Sequence, residues 1–266
     1  MSPLSVSAGF PTSPRRRLRL RCTARRRYQV LSPDGRVIMI SGASRGIGLA
    51  IARTLLGKGY CVSAGARDVE KLSVALSGPW QDRLLCCRYD AADRSSHQAW
   101  VDRTNERFGR LDGLVNNAGT SNTFTIEEGE EEELDALWAT NVKGPLFLTR
   151  LCLPYLKECG SGRVINVSSL SGKRVRNENI AYNMTKHAVM ALTHGTRRIG
   201  WDHGIRATAI CPSFVATDLT SGVTKVSREE MIDPDDFAEI TALALALPNT
   251  AAMAEMLVNC RLEDTL

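Results

Sequence analysis

Tyr182 and Lys186 stand four residues apart in Ala181-Tyr-Asn-Met-Thr-Lys186, and Ser169 lies thirteen residues before the tyrosine in Asn166-Val-Ser-Ser-Leu170. Four residues of helix advance about 400° and 6 Å, so phenol and ammonium share a face. A free phenol is a poor base near neutral pH. One cation about 4 Å away, in an effective dielectric of about 20, favours the phenolate by about 4 kcal/mol. A neutral residue in place of the lysine could not supply that. The Ser169 hydroxyl can hydrogen-bond an oxygen whose charge is changing; Ser168 is adjacent, and the spacing to Tyr182 favours Ser169. Asn141, in Ala139-Thr-Asn-Val142, is an awkward helix residue unless its side chain has a use. It could hold a water beside Lys186 and connect the tyrosine to solvent.

A second group of residues could hold a nucleotide beside that proton chemistry. Ser41-Gly-Ala-Ser-Arg-Gly-Ile-Gly48 follows a strand-like run and precedes a helix-like one. Gly42 lets the chain turn out of the strand, Gly46 lets a diphosphate approach, and Gly48 permits tight helix-to-sheet packing. The phosphates would rest on free N–H groups at the helix start, with Ser44, Arg45 and Ile47 completing the loop. An NAD site places a carboxylate at the end of the second strand. This chain has Ala66-Arg67 there, and Asp68 is better used as a helix cap. Arg45 and Arg67 could hold a 2′-phosphate by bidentate bonds, which points to NADP(H). Asp90 and Ala91, after the third strand, and Asn116 to Gly119 (Asn117, Ala118 and Gly119 above all), after the fourth, would line the adenosine side.

These segments need a scaffold, and the chain alternates short apolar runs with stretches of helical period. That is the pattern of a parallel sheet covered on both faces. Strands are predicted at 37–40, 60–63, 84–87, 113–115, 163–167, 206–210 and 256–259. Helices are predicted at 47–56, after Asp68, at 131–156 with bends at Pro145 and Pro154, at 181–201, and after Asp233-Pro234. The fold class is α/β: a Rossmann-type, doubly wound, seven-stranded parallel sheet with helices on both faces, in one domain spanning 36–266.

Taken with Asn116-Asn-Ala-Gly119, Asn141 and Cys211-Pro-Ser-Phe-Val-Ala-Thr217, these motifs make residues of about 36–262 resemble a short-chain dehydrogenase/reductase. The resemblance implies NAD(P)-dependent interconversion of carbonyls and alcohols by an Asn141-Ser169-Tyr182-Lys186 tetrad, and a homodimer or homotetramer. It also implies that Pro212, Val215 and Thr217 contact the nicotinamide carboxamide. The family's Pro-Gly there reads Pro212-Ser213 in this chain, and its frequent Gly-Gly near the C-terminus reads Asn259-Cys260.

Composition narrows the alternatives. Residues 1–30 carry eight arginines and no Lys, Asp or Glu, so the net charge of +5 becomes −3 for residues 31–266. The body is mildly acidic, which argues against a nucleic-acid partner; binding through the arginine segment ranks last. Residues 1–35 are expected to be a basic, disordered extension, with a transit peptide or an upstream start as other readings. No run is long and apolar enough for a membrane span. The eight cysteines lack zinc spacing and suit free thiols in a reducing cytosol, so a cytoplasmic location without metal is expected. The acids of Glu127 to Glu133 suit a solvated helix start. His187 and His194 suit packing or surface positions. Lys173, Arg174 and Arg176 lie between Ser169 and Tyr182 and could receive an anionic substrate, such as a 3-oxoacyl carrier conjugate, or could simply be solvated. The polar stretch from Asp218 to Glu230, whose apolar residues are Leu219, Val223 and Val226, is the expected flap and disfavours a large greasy substrate. The expected activity is NADPH-dependent reduction of a ketone or aldehyde; the alternative is a non-catalytic sensor of NADP(H).

Overall fold

The computed structural model describes residues 30–262. Seven strands, β1 (Val37–Ser41), β2 (Cys61–Ala66), β3 (Leu84–Arg88), β4 (Gly113–Asn116), β5 (Arg163–Val167), β6 (Arg206–Pro212) and β7 (Glu255–Val258), form a single sheet. Their order is β3-β2-β1-β4-β5-β6-β7, and every pairing is parallel. The order reverses between β1 and β4, which opens a crevice at the C-terminal ends of those strands. The central strands β1, β5 and β6 are buried along their whole length. Both faces are covered, so the strands read as continuous apolar runs.

Helices α1 (Gly46–Gly57) and α2 (Val69–Ala75) cover one face together with α7 (Pro234–Ala246). Ile51, Leu55, Leu72, Phe237 and Leu245 form the core there. Helices α3 (Arg94–Phe108), α5 (Gly144–Glu158) and α6 (Ile180–Gly200) cover the other, around Trp100, Leu148, Cys152 and Met190. Asp68 caps α2 by accepting the Lys71 N–H at 2.9 Å, and Asp233 caps α7 through the Asp235 N–H at 2.8 Å, with Pro234 in the first turn. Both caps agree with the sequence reading.

Four predictions need correction. Strand β2 runs on to Ala66, because the small residues Ala64-Gly65-Ala66 leave room for Trp100; a Cβ on Gly65 would lie 2.7 Å from that indole. Helix α3 has no counterpart among the predicted helices. The long helix of 131–156 is broken into α4 (Glu131–Trp138) and α5 by a π-turn at Ala139–Lys143. The hydrogen-bond register therefore changes around Asn141 while the chain stays helical, and Pro154 is carried inside α5. The chain also packs before Arg36, with the Leu31 N–H donating to the Ala246 carbonyl at 2.8 Å. Residues 1–29 of the basic extension lie outside the described residues.

At the N-terminal ends of the strands, buried polar groups join the sheet to its loops. Asp112 accepts the Val37 N–H at 2.9 Å and both arms of Arg110. Arg163 is 1% exposed. It donates to the Leu247 and Gly162 carbonyls and to Asn249 Oδ1 at 2.6, 2.8 and 2.9 Å. Burial, with Arg36 and Arg206 nearby, pulls its pKa down to about 10. It still carries its charge at neutral pH.

Candidate active site

At the opposite end, the loops leaving β1 to β6 meet in a cleft of about 390 Å³. The glycine loop enters first. Gly42 and Gly46 have φ of +68° and +55°, conformations that favour glycine. A Cβ on Gly42 would lie 2.9 Å from Ala118, and one on Gly48 would lie 2.3 Å from the Gly42 carbonyl oxygen. Gly48 is thus a packing glycine behind the cleft, while Gly42, Ser44, Arg45, Gly46 and Ile47 face it. No side chain caps the start of α1, and its first turn holds no acid. Its leading N–H groups have no intrahelical partner and face the cleft.

Around that loop lie Arg67, Asp90, Ala91, Asn117, Ala118 and Gly119. Asn117 ties the β4 loop to β1, donating to the Ser41 and Gly42 carbonyls at 3.0 and 3.1 Å. Its neighbour Asn116 is turned inward to Thr149 and Asn166 at 3.0 and 2.8 Å. The expectation that Asn116 lines the adenosine side is therefore corrected: the first Asn braces β4 against β5 and α5, and only the second reaches the cleft. Arg45 pairs with Asp218 at 2.8 Å, both side chains largely exposed. Asp90 turns inward on its own loop and accepts the Ala92 N–H at 3.0 Å.

Ser169, Tyr182 and Lys186 line the other end of the same cleft. Ser169 ends the loop after β5, and its Oγ accepts the Ser171 N–H at 3.1 Å. Ser168 is buried beneath, donating to the Lys186 carbonyl at 3.1 Å. Ser168 also borders the cleft, but its hydroxyl is used beneath it. Lys186 is 7% exposed. Its ammonium donates to the Val167 carbonyl at 3.0 Å and lies 5.4 Å from the centre of the Tyr182 ring. The two residues share one face of α6. Gly172 must be glycine for this packing, since a Cβ would lie 2.6 Å from the Lys186 carbonyl oxygen.

Asn141 is placed otherwise than expected. Its side chain is buried in the π-turn and does not line the cleft. Oδ1 accepts the Thr120 N–H and Nδ2 donates to the Thr120 carbonyl, both at 2.9 Å, with Thr185 Oγ1 at 3.2 Å. The amide is fully engaged in holding the wall at Thr120, so it positions the site from behind. Thr120, Thr140 and Tyr89 line the cleft without having been singled out from the sequence, and so does Ser213, noted there only as a departure from the family pattern. Adjacency to Gly119, Asn141, Asp90 and Pro212 was the available signal.

Pro212, Val215 and Thr217 also face the cleft. The two departures from the family pattern meet each other: Ser213 Oγ accepts the Cys260 N–H at 2.9 Å, and the Ser213 N–H donates to the Val258 carbonyl at 2.8 Å. The serine hydroxyl thus joins the ends of β6 and β7. In the segment beyond, Asp218, Leu219 and Thr220 line the cleft, Val226 is buried, and Arg228 donates to the Ala216 and Thr217 carbonyls. Lys173 is turned away onto Glu255 at 2.6 Å, which also accepts from His194 at 2.8 Å. None of Lys173, Arg174 and Arg176 lines the cleft, which removes the support for an anionic substrate in that loop. Cys211 is buried against Met190, and burial pushes its thiol up to about 11, so it is inert. Among the described residues no group of three His, Cys, Asp or Glu side chains could hold a metal, and no helix is long and apolar enough to cross a membrane.

Comparison with known proteins agrees with this geometry. The agropine synthesis reductase of Rhizobium rhizogenes is 46% identical over 229 residues, 86% of this chain and 53% of the relative. The chain thus spans about half the length of that relative. An uncharacterised oxidoreductase of Staphylococcus saprophyticus is 33% identical, covering 84% of this chain and 96% of its own. Among solved structures, the 3-ketoacyl-(acyl-carrier-protein) reductase of Brucella melitensis complexed with NADH superposes with a TM-score of 0.80 at 29% identity, covering 86% of this chain and 98% of that one. The Thermococcus sibiricus alcohol dehydrogenase complexed with 5-hydroxy-NADP gives 0.77 at 29% identity, covering 84% and 95%. The short chain dehydrogenase family model matches residues 36–227, the stretch that carries the glycine loop, Ser169, Tyr182 and Lys186. The chain belongs to the short chain dehydrogenase family.

Proposed function

We propose that this chain is an oxidoreductase that reduces a ketone or aldehyde with NADPH, and runs in reverse on the alcohol. The observation that carries the reading is the shared cleft: an uncapped helix start and Arg67 at one end, Ser169, Tyr182 and Lys186 at the other. The residues fit a pyridine dinucleotide. Free N–H groups of α1 suit a diphosphate, and the glycines at 42 and 46 leave its approach open. The nicotinamide, when bound, supplies or accepts the hydride. Ser169 Oγ holds the substrate oxygen, and the Tyr182 hydroxyl gives it a proton. Lys186 keeps positive charge beside the phenol as that proton leaves. Asn141 holds the wall at Thr120 in place.

Preference for the 2′-phosphate rests on Arg67. Asp68, the nearest acid, is engaged as the cap of α2, so no carboxylate at that position competes for a ribose hydroxyl. Arg45 is paired with Asp218 in a solvated contact worth about 0–1 kcal/mol, which a doubly charged phosphate can displace. A charge-assisted hydrogen bond contributes about 1.5–3 kcal/mol, so Arg67→Ala should weaken NADPH by about 10- to 100-fold and leave NADH nearly unchanged. Titration of both cofactors by fluorescence, with turnover on a panel of neutral ketones and aldehydes, tests the reading. Tighter binding of NADH than NADPH refutes the cofactor preference. Full turnover by Tyr182→Phe refutes the proton-transfer assignment.

A further inference from the structure

Asn179 lies just ahead of α6, and the two ends of its amide face different elements. Oδ1 accepts the Tyr182 N–H at 3.1 Å and caps the helix. Nδ2 donates to Ser121 Oγ at 3.1 Å and to the Asn122 carbonyl. The loop held in this way begins at Thr120, which Asn141 grips from the other side by both its N–H and its carbonyl. Thr120 lines the cleft. A Cβ on the preceding Gly119 would lie 3.8 Å from Lys186 Nζ, which puts this wall at the tyrosine end. The backbone of Asn179 is itself held, its carbonyl accepting from the fully buried Asn183 at 2.6 Å, while Asn183 also donates to Asn177 at 2.9 Å.

Building on the reductase reading, we infer that Asn179 is a positioning residue whose two ends do separate work. The acceptor end fixes the first turn of α6 and hence Tyr182. The donor end holds the wall from Thr120 to Asn122 against that turn, beside the substrate carbonyl. Asparagine suits both tasks because its amide is at once an acceptor and a two-proton donor.

Asn179→Asp separates the two. A carboxylate caps a helix as well as an amide and is favoured by the helix dipole, yet it has no proton to donate to Ser121 or to the Asn122 carbonyl. Asn179→Ala removes both ends, and Ser121→Ala removes one loop partner with the cap intact. Hydrogen exchange of peptides covering 119–124 and 180–186 should be measured beside steady-state kinetics with NADPH and the best ketone. In Asn179→Asp, the loss of the neutral amide bonds to the loop should speed its exchange about ten-fold and raise the ketone KM about five- to ten-fold. Exchange at Tyr182 and kcat should stay within about two-fold of wild type. Ser121→Ala should shift the loop and KM in the same direction by a smaller factor. Asn179→Ala should lose both, with kcat falling about ten-fold as well. Dissociation constants for NADPH should not move.

Equal behaviour of Asn179→Asp and Asn179→Ala, or wild-type loop exchange in Asn179→Asp, overturns the inference. A wild type without turnover on any carbonyl refutes the reductase reading instead, and the exchange comparison then decides the role of Asn179 by itself.

Discussion

Lys186 shows how much one side chain carries. It is a nearly buried cation that donates to a neutral partner, the Val167 carbonyl, and it rests beside the Tyr182 ring. Burying such a charge opposes folding unless it is well paired. Its placement therefore makes sense as a contribution to the chemistry of the phenol. Lys186→Met should lower kcat by about 100- to 1,000-fold, given about 4 kcal/mol of charge stabilisation at risk. Thermal stability should stay equal or rise, because the desolvation cost disappears. A melting curve beside a turnover assay checks this; a large drop in melting temperature with little loss of kcat would mean the lysine is structural. Lys186, Tyr182, Ser169 and the glycine loop were legible because helical spacing and strand-to-helix position restrict them tightly. Asn141 and Asn116 were only half legible. Sequence marks a polar residue as unusual, but the direction of its amide depends on partners such as Thr120 and Asn166, which come from distant parts of the chain.

Among the elements, those with an apolar stripe or a definite cap could be read, and α3 shows what escapes. Its buried face includes Ser96, His97 and Thr104 beside Trp100 and Val101. Those polar groups find partners inside, Thr104 in Ser63 at 2.7 Å and His97 Nε2 in the Asp90 carbonyl at 3.0 Å, while His97 Nδ1 has none. Polar residues on the inner face dilute the helical period. The π-turn of Ala139–Lys143 escapes for another reason, since it is a change of hydrogen-bond register that residue type does not encode. The contact joining the Ser169 loop to β7 was equally hidden. Glu255 accepts from Lys173 and His194, and those partners hold its carboxyl below the ordinary glutamate value of 4.5. A depressed folded-state pKa contributes stability that is complete above the unfolded value and disappears as pH falls through the folded one. Glu255→Gln should therefore cost about 1 kcal/mol near neutrality, about 2–4 °C in melting temperature. The gap from wild type should close as pH falls below the ordinary glutamate range. Melting curves between pH 3 and 8 check this, and a gap independent of pH would mean that packing, not charge, holds the loop.

At the scale of the whole molecule, parallel strands divide the sheet into two ends with different tasks. Every loop that lines the cleft leaves the C-terminal end of a strand, where helix starts and unpaired N–H groups can receive a ligand. The N-terminal ends carry Arg36, Asp112, Arg163 and Arg206, whose hydrogen bonds go to the chain itself. Arg163 is the firmest of these, joining β5 to the ends of α7 and the loop before β6 through the Leu247 and Gly204 carbonyls and Asn249. A buried charge of this kind opposes folding until its donors are satisfied, and removing it strands several acceptors. Arg163→Met should destabilise the fold by about 3–5 kcal/mol and lower the melting temperature by about 10 °C. NADPH affinity and kcat, measured on the fraction that remains folded at low temperature, should stay within about two-fold of wild type, since additivity holds for sites this far apart. Tyr182→Phe should give the mirror image, with turnover lost and melting unchanged. If Arg163→Met instead weakened NADPH in proportion to its loss of stability, the two ends of the sheet would be one cooperative unit. Catalytic geometry would then depend on the packing at its base.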